Sequence, residues 1–293
     1  MNGLLNLNKP AGMTSRRVVD QVVRLVPRTK VGHAGTLDPA ASGVLVVCMS
    51  AATRLIECVQ RMPKTYLAAV RLGARSDTLD AEGEVVEVEA PPIPDEEAVR
   101  AAIAGQVGEI LQRPPEFSAL RVKGRRAHEL ARAGKAVELA PRIVRVDRIS
   151  LLRYEWPRLD LEIDCGGGTY IRSIARDLGE SLGCGGLLER LVRSRIGHFT
   201  IETAAELSAL TAEALPSLLR SPREAVAGMQ SLTLHTEEHI RAVAQGKTLA
   251  ADALSSTPLP PGPLALLGPD GRLVALAESD PSRGAVHPFK VFI

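Results

Sequence analysis

The run Val44-Leu45-Val46-Val47-Cys48-Met49 places six apolar side chains in succession. A strand alternates its side chains between two faces, so an unbroken apolar run is satisfied only where both faces are covered. The run therefore reads as a buried central strand, and the chain around it must supply layers to cover it. Leu4 to Lys9 alternates as a short strand. Thr14 or Ser15 then caps a helix with Val18, Val19, Val22, Val23 and Val26 on its inner face, which Pro27 ends. A second helix is expected around Thr53 to Arg61, a strand over Lys64 to Gly73, and a helix from Asp95 to Gly105. Strands over Ile143 to Trp156 and Arg158 to Gly166 follow, then a helix starting near Thr169 and running to Gly183. Leu187 to Val192 reads as a further helical turn or two. This periodicity specifies an α/β mixture and no more.

After about Gln230 the pattern changes to short strands separated by Pro and Gly, with a helix over Glu237 to Gly246 and a hairpin signal at Gly268-Pro269-Asp270-Gly271. At 293 residues, 45% of them hydrophobic, the chain exceeds one typical domain of roughly 100 to 200 residues. It divides into a large domain over 1–229 and a small β-rich one over 230–293. No apolar run approaches the ~18 residues of a membrane span, and the opening MNGLLNLNKP has neither a basic nor a long apolar leader segment. The expectation is a cytoplasmic protein. Cys48, Cys58, Cys165 and Cys184 lie far apart without C-x-x-C spacing, as reduced thiols do.

The net charge of +2 conceals a segregation. Residues 1–75 carry eleven Lys/Arg against three Asp/Glu, and residues 110–160 twelve against six, whereas residues 201–293 carry seven against ten. Between the basic blocks, residues 76–99 hold nine acids and no base, read as a solvated stretch facing away from any polyanion. Segregated positive charge recruits a phosphate backbone, because each neutralised phosphate releases counterions.

Gly32-His33-Ala34-Gly35-Thr36-Leu37-Asp38-Pro39 is the most informative stretch. Its glycines let the backbone turn sharply and Pro39 stiffens the position after a carboxylate, so an acid is presented on a loop at the entrance to the buried strand. Alone, Leu-Asp-Pro is a turn. Its company is distinctive: Asn8-Lys9-Pro10-Ala11-Gly12 with Thr14-Ser15 before it, Ser42-Gly43-Val44-Leu45 and Lys64-Thr65-Tyr66 after it, then Arg71-Leu72-Gly73 with Asp77-Thr78-Leu79-Asp80-Ala81-Glu82-Gly83, Gln112-Arg113-Pro114-Pro115-Glu116-Phe117-Ser118-Ala119, and Cys165 to Gly168 with Thr169-Tyr170-Ile171-Arg172.

In these blocks and in their order across residues 2 to about 200, the chain resembles the tRNA pseudouridine synthase B (TruB) family, of the bacterial stand-alone type, which isomerises uridine in the T loop. The resemblance implies a pseudouridine-synthase fold, a central and mostly antiparallel sheet flanked by helices, with a small C-terminal PUA-like RNA-binding domain. It implies Asp38 as nucleophile, Arg172 as the permanent cation that favours and orients the anion, and Tyr66 as the aromatic that stacks on uracil with its hydroxyl near C5. Tyr170 and Leu191 match positions lining the uracil pocket, and His33 the histidine at the flipped-out site. Lys9, Lys64, Arg121, Lys123, Arg125, Arg126 and Arg132 are candidate phosphate contacts. The basic 113–135 segment corresponds to an insertion that clamps the T arm. No metal or cofactor, no guide RNA and a monomer are expected, with tRNA as partner. Breaking C1′–N1, turning the base over and joining C1′ to C5 is redox-neutral, and one carboxylate suffices whether it attacks sugar, attacks base or assists glycal formation.

Phe117 stands where a tyrosine is common, Gly166-Gly167 replace more polar residues, and the C-terminal likeness is looser. Three other readings compete, one of them a guide-RNA-dependent relative within the wider family, against which the stand-alone type of 113–135 insertion speaks. A retaining glycoside or nucleoside hydrolase would need a second carboxyl ~5 Å away, supplied by Asp77 or Asp80 only if they folded back to Asp38. A non-catalytic tRNA-binding chaperone would need none of the site.

Overall fold

The computed structural model describes residues 1–118, 121–122, 125–126 and 139–293. Strand Ser42–Met49 runs antiparallel to Gly3–Lys9, and its apolar run is covered on both sides. Val44, Val46 and Cys48 enter one cluster with Ala52, Leu55 and Val59. Leu45, Val47 and Met49 enter another with Val18, Val19 and Val22 of helix Ser15–Leu25. Each such side chain contributes roughly 1.5–3 kcal/mol on burial. The helix begins where Thr14 accepts a hydrogen bond from Arg17 N and ends before Pro27.

Among the described residues the main sheet has ten strands. Its path runs Ala205–Glu206, Gly3–Lys9, Ser42–Met49, Gly186–Ile196, Lys64–Leu72, Arg158–Cys165, Arg142–Glu155, Gly108–Gln112. Pairing is antiparallel except between the first two and between Ser42–Met49 and Gly186–Ile196. Helices Glu96–Ala104 and Ile171–Ser181 cover one face of its later strands, where Val99, Ile103, Ile174 and Leu178 meet Leu72, Val146, Leu159 and Ile163.

One expectation is corrected. Leu187 to Val192 is not helical but lies in strand Gly186–Ile196, hydrogen-bonded to Lys64–Leu72 on one side and Ser42–Met49 on the other. Register shifts between Leu188 and Arg190 and between Arg193 and Arg195 interrupt its alternation. The result is apolar spacing that imitates a helix.

A second sheet of five strands occupies residues 231–291. Leu264, Leu266, Val274 and Val286 form its own cluster with Val243 of helix Glu237–Ala244. Ala265, Leu267, Leu273 and Leu276 instead join the cluster that also holds Val44 and Val46. Arg54 donates to Val291 O at 2.6 Å and lies over the Phe292 ring, and Lys290 donates to Arg54 O at 3.1 Å. Among the described residues no helix is long and apolar enough to cross a membrane.

Candidate active site

The loop that carries Asp38 is pinned by three side chains remote from it in sequence. Buried Ser15 accepts from Leu37 N at 2.9 Å and donates to Leu37 O at 3.0 Å. Lys9 donates to Pro39 O at 3.2 Å, and Arg193 to Gly35 O at 3.1 Å and Thr36 O at 3.5 Å. Gly12 N adds a backbone bond to Pro39 O at 2.8 Å. The Asp38 side chain itself stays 40% exposed, so a fixed backbone presents an accessible carboxylate.

Arg172, in the first turn of helix Ile171–Ser181, has a side chain only 7% exposed and reaches Asp38 Oδ2 with Nη2 at 3.0 Å. The same guanidinium approaches Asp80 Oδ2 with Nη1 at 3.4 Å and donates to Thr78 O at 2.9 Å and Phe117 O at 3.0 Å. Asp80 was expected on a solvated acidic face; instead it is 9% exposed and turned inward. Leu79 adopts φ 62°, and backbone bonds from Leu188 N to Leu79 O and from Ala81 N to Leu188 O fasten this turn to strand Gly186–Ile196. The second Asp80 oxygen accepts from Thr78 Oγ1 at 2.6 Å and Glu82 N at 3.1 Å. Asp80 thus folds back towards the site, as the hydrolase reading required, but its oxygens are engaged and Arg172 binds both acids. Its geometry suits orienting the arginine.

Tyr66 is 8% exposed and belongs to the cluster that includes Leu37, against which half-buried Leu191 packs. Burial pushes its phenol up, and the Arg193 guanidinium pulls in the opposite direction. Tyr170 precedes the Arg172 helix. Buried Gln112 holds it by accepting from Tyr170 N at 2.8 Å and donating to Tyr170 O at 3.1 Å, and Arg142 lies 5.1 Å above its ring. Asp38, Arg172, Tyr66 and Leu191 are thereby brought together, with Tyr170 adjoining. His33 faces elsewhere, into a cavity of about 430 Å³ lined by Arg16, Val19, Val31, Gly32 and Ile56. Burial, then the charges of Arg193 and Arg16, hold its imidazole below the usual range.

Two expected phosphate contacts are corrected. Lys9 is fully buried, its ammonium donating to Pro10 O, Met13 O and Pro39 O at 2.9, 2.6 and 3.2 Å. Lys64, 6% exposed, donates to Gln60 O and to Met62 O. Both ammonium groups are turned inward to brace backbone turns, Lys9 with all three donors engaged and Lys64 with two. Burial lowers each from 10.5 to about 8. Gly167 explains one departure noted above, since a Cβ there would lie 2.6 Å from Gln60 O. Arg121–Val122 pairs with Arg125–Arg126 as a two-stranded hairpin; these side chains, with Lys123 and Arg132, lie outside the described residues. Ser15, Asp80, Gln112 and Arg193 are site-building residues that the sequence reading did not assign.

Residues 23–171, more than half of the chain, match the model of the TruB family pseudouridylate synthase (N terminal domain). The chain belongs to the TruB family. This TruB-family chain is 40% identical over 297 residues to a tRNA pseudouridine synthase B of Dehalococcoides mccartyi, covering 100% of this chain and 97% of that protein. It is 42% identical over 286 residues to one of Corynebacterium aurimucosum, covering 96% and 94%. Among solved structures, a Cbf5-Nop10-Gar1 complex contains a chain that superposes with TM-score 0.78 at 26% identity, over 99% of this chain and 85% of that one. The chain is a pseudouridine synthase, an isomerase.

Proposed function

We propose that the enzyme converts one uridine of the tRNA T loop, position 55, to pseudouridine, with Asp38 as nucleophile. The observation that carries this reading is the accessible Asp38 carboxylate held at 3.0 Å by a buried arginine. The names of the relatives, tRNA pseudouridine synthase B, support tRNA as the substrate. Asp38 attacks the sugar or the base, or assists glycal formation; each route requires the same anion. The base first leaves the stack, at a few kcal/mol. Tyr66 stacks on the extruded uracil with its hydroxyl towards C5, Tyr170 and Leu191 close the pocket, and the His33 cavity receives the displaced part of the loop. Because the isomerisation is redox-neutral, the reading includes no cofactor or metal.

Within this reading, residues 113–135 grip the T arm through Arg121, Lys123, Arg125 and Arg126. Residues 230–293 are a PUA-like RNA-binding domain, and the enzyme works as a cytoplasmic monomer without a guide RNA. The test is incubation with unmodified tRNA, without added cofactor, followed by nucleotide-resolution mapping. One T-loop pseudouridine is expected, and none with Asp38→Ala. Release of free uracil would indicate a hydrolase, and no conversion at high enzyme concentration would sink the reading.

A further inference from the structure

Arg193 heads the fully buried side chains by size, at 2% exposure, and among the described residues no carboxylate lies within ion-pair distance of it. A buried cation without a counter-ion is strongly unfavourable unless its donors are satisfied. Here they are satisfied by the catalytic loop and the strand it enters: Nε donates to Val44 O at 2.8 Å, Nη2 to Gly35 O at 3.1 Å and Nη1 to Thr36 O at 3.5 Å. Strand register adds the other half. Arg193 is paired with Gly43 on one side and with Tyr66 on the other. Directly opposed residues project to the same face, which puts the Arg193 and Tyr66 side chains together on that face, with the guanidinium charge acting on the phenol. Gly43, at φ 103°, is demanded by the same crossing, because a Cβ would lie 2.2 Å from Arg193 O.

We propose that Arg193 is a positioning residue for the isomerisation, fastening the Tyr66 hydroxyl and the Gly35-Thr36 backbone that leads to Asp38 into one unit while keeping a permanent positive charge beside the phenol oxygen. The inference rests on the reading that Asp38 and Tyr66 act on the flipped uracil. The charged and titratable groups facing Tyr66 are Arg193 from one neighbouring strand, Cys165 from the strand on the other side and Asp38 from the loop. Of these, only Arg193 favours the phenolate. Burial is the main cause that lowers Lys64, His33 and Lys9, and the Arg193 charge adds to it in each case.

The experiment compares wild type, Arg193→Met and Arg193→Lys by single-turnover conversion of tRNA across neutral to alkaline pH, with tRNA affinity measured alongside. Titration of the Tyr66 ring by NMR of carbon-labelled tyrosine, assigned with Tyr66→Phe, supplies a readout independent of turnover. Arg193→Met is expected to slow the chemical step by roughly 100-fold at unchanged tRNA affinity. It also moves the ascending limb of the rate profile and the Tyr66 titration to higher pH, since loss of the cation disfavours phenolate. Arg193→Lys keeps the buried charge without the fork, so both midpoints stay near wild type while part of the rate is lost. If removing the charge unfolds the chain, the lysine variant decides, because its loss must shrink in a Tyr66→Phe background where the shared oxygen is gone. Unmoved midpoints in Arg193→Met, or losses equally large with and without the Tyr66 hydroxyl, would overturn the proposal. Wild-type conversion by Tyr66→Phe and Asp38→Ala would instead remove the reading beneath it and leave the measured Arg193–Tyr66 coupling standing.

Discussion

At the residue scale, the candidate site separates what presents a group from what holds it. Asp38 is exposed enough to react, while Arg172, Asp80, Ser15 and Lys9 are buried and act on its backbone or its partner. Asp80→Asn keeps the shape but weakens the charge that orients Arg172. A loss of roughly 10–100-fold in the single-turnover rate at unchanged tRNA affinity is expected, from about 1.5–3 kcal/mol for a charged hydrogen bond. Lys9→Met takes the ammonium away from the Pro10, Met13 and Pro39 carbonyls, of which Pro39 O keeps Gly12 N, and lowers stability by roughly 2–3 kcal/mol in denaturant melts. The salt dependence of tRNA binding stays as in wild type, whereas a phosphate contact would reduce that slope by about one. That Asp38, Tyr66 and Arg172 come together in one site was legible because each sits in a block whose order identifies a family. Asp80 was not, because a run of acids averages to a solvated surface and one left-handed residue, Leu79, decides which acid turns inward. Lys9 and Lys64 misled for the complementary reason: sequence gives the sign of a charge, while acceptors supplied by folded backbone decide where it points.

Elements were legible where an apolar pattern is uninterrupted. The Val44–Met49 run, the Thr14 cap and helix Glu96–Ala104 between Asp95 and Gly105 all fall where expected. Strand Gly186–Ile196 was missed because its two register shifts break the period that identifies a strand. That strand is also the most constrained element. Gly43→Ala, which forces a methyl group against the backbone of Arg193 at a positive φ, destabilises by about 3 kcal/mol or more and is measured by thermal melting. On the strands beside Tyr66, Asp164 bonds Thr65 at 2.6 Å and pairs with Arg148 at 2.9 Å and Arg195 at 3.3 Å. Burial pushes the Asp164 carboxyl up, but those hydrogen bonds and charges outweigh it and leave it below 3.8. Its stabilisation is therefore fully present above the unfolded value and is lost as pH falls through the lower folded one. With the arginines half exposed, the effect is about 1 kcal/mol. Asp164→Asn should flatten the acid limb of a stability–pH curve by that amount, and an unchanged limb would remove this account.

Across the whole molecule, the two sheets are joined by one apolar cluster that holds Leu267, Leu273 and Leu276 of the second sheet together with Val44 and Val46 of the first. The expected consequence is a single cooperative calorimetric transition. Leu276→Asp should lower that transition as a whole; a separate early transition confined to residues 230–293 would refute the shared core. No local pattern could announce this arrangement, since Leu276 alternates as well for an isolated sheet as for a shared one. The convergence on Arg172 has a related implication for engineering. Its guanidinium collects the loop of Asp38, the turn of Thr78 and Asp80, and the carbonyl of Phe117, where residues 113–135 begin. That segment is consequently not an interchangeable cassette. A transplanted loop that shifts its first turn is expected to move the Phe117 carbonyl off Arg172 and so detune the Asp38–Arg172 pair, whatever it does to RNA affinity.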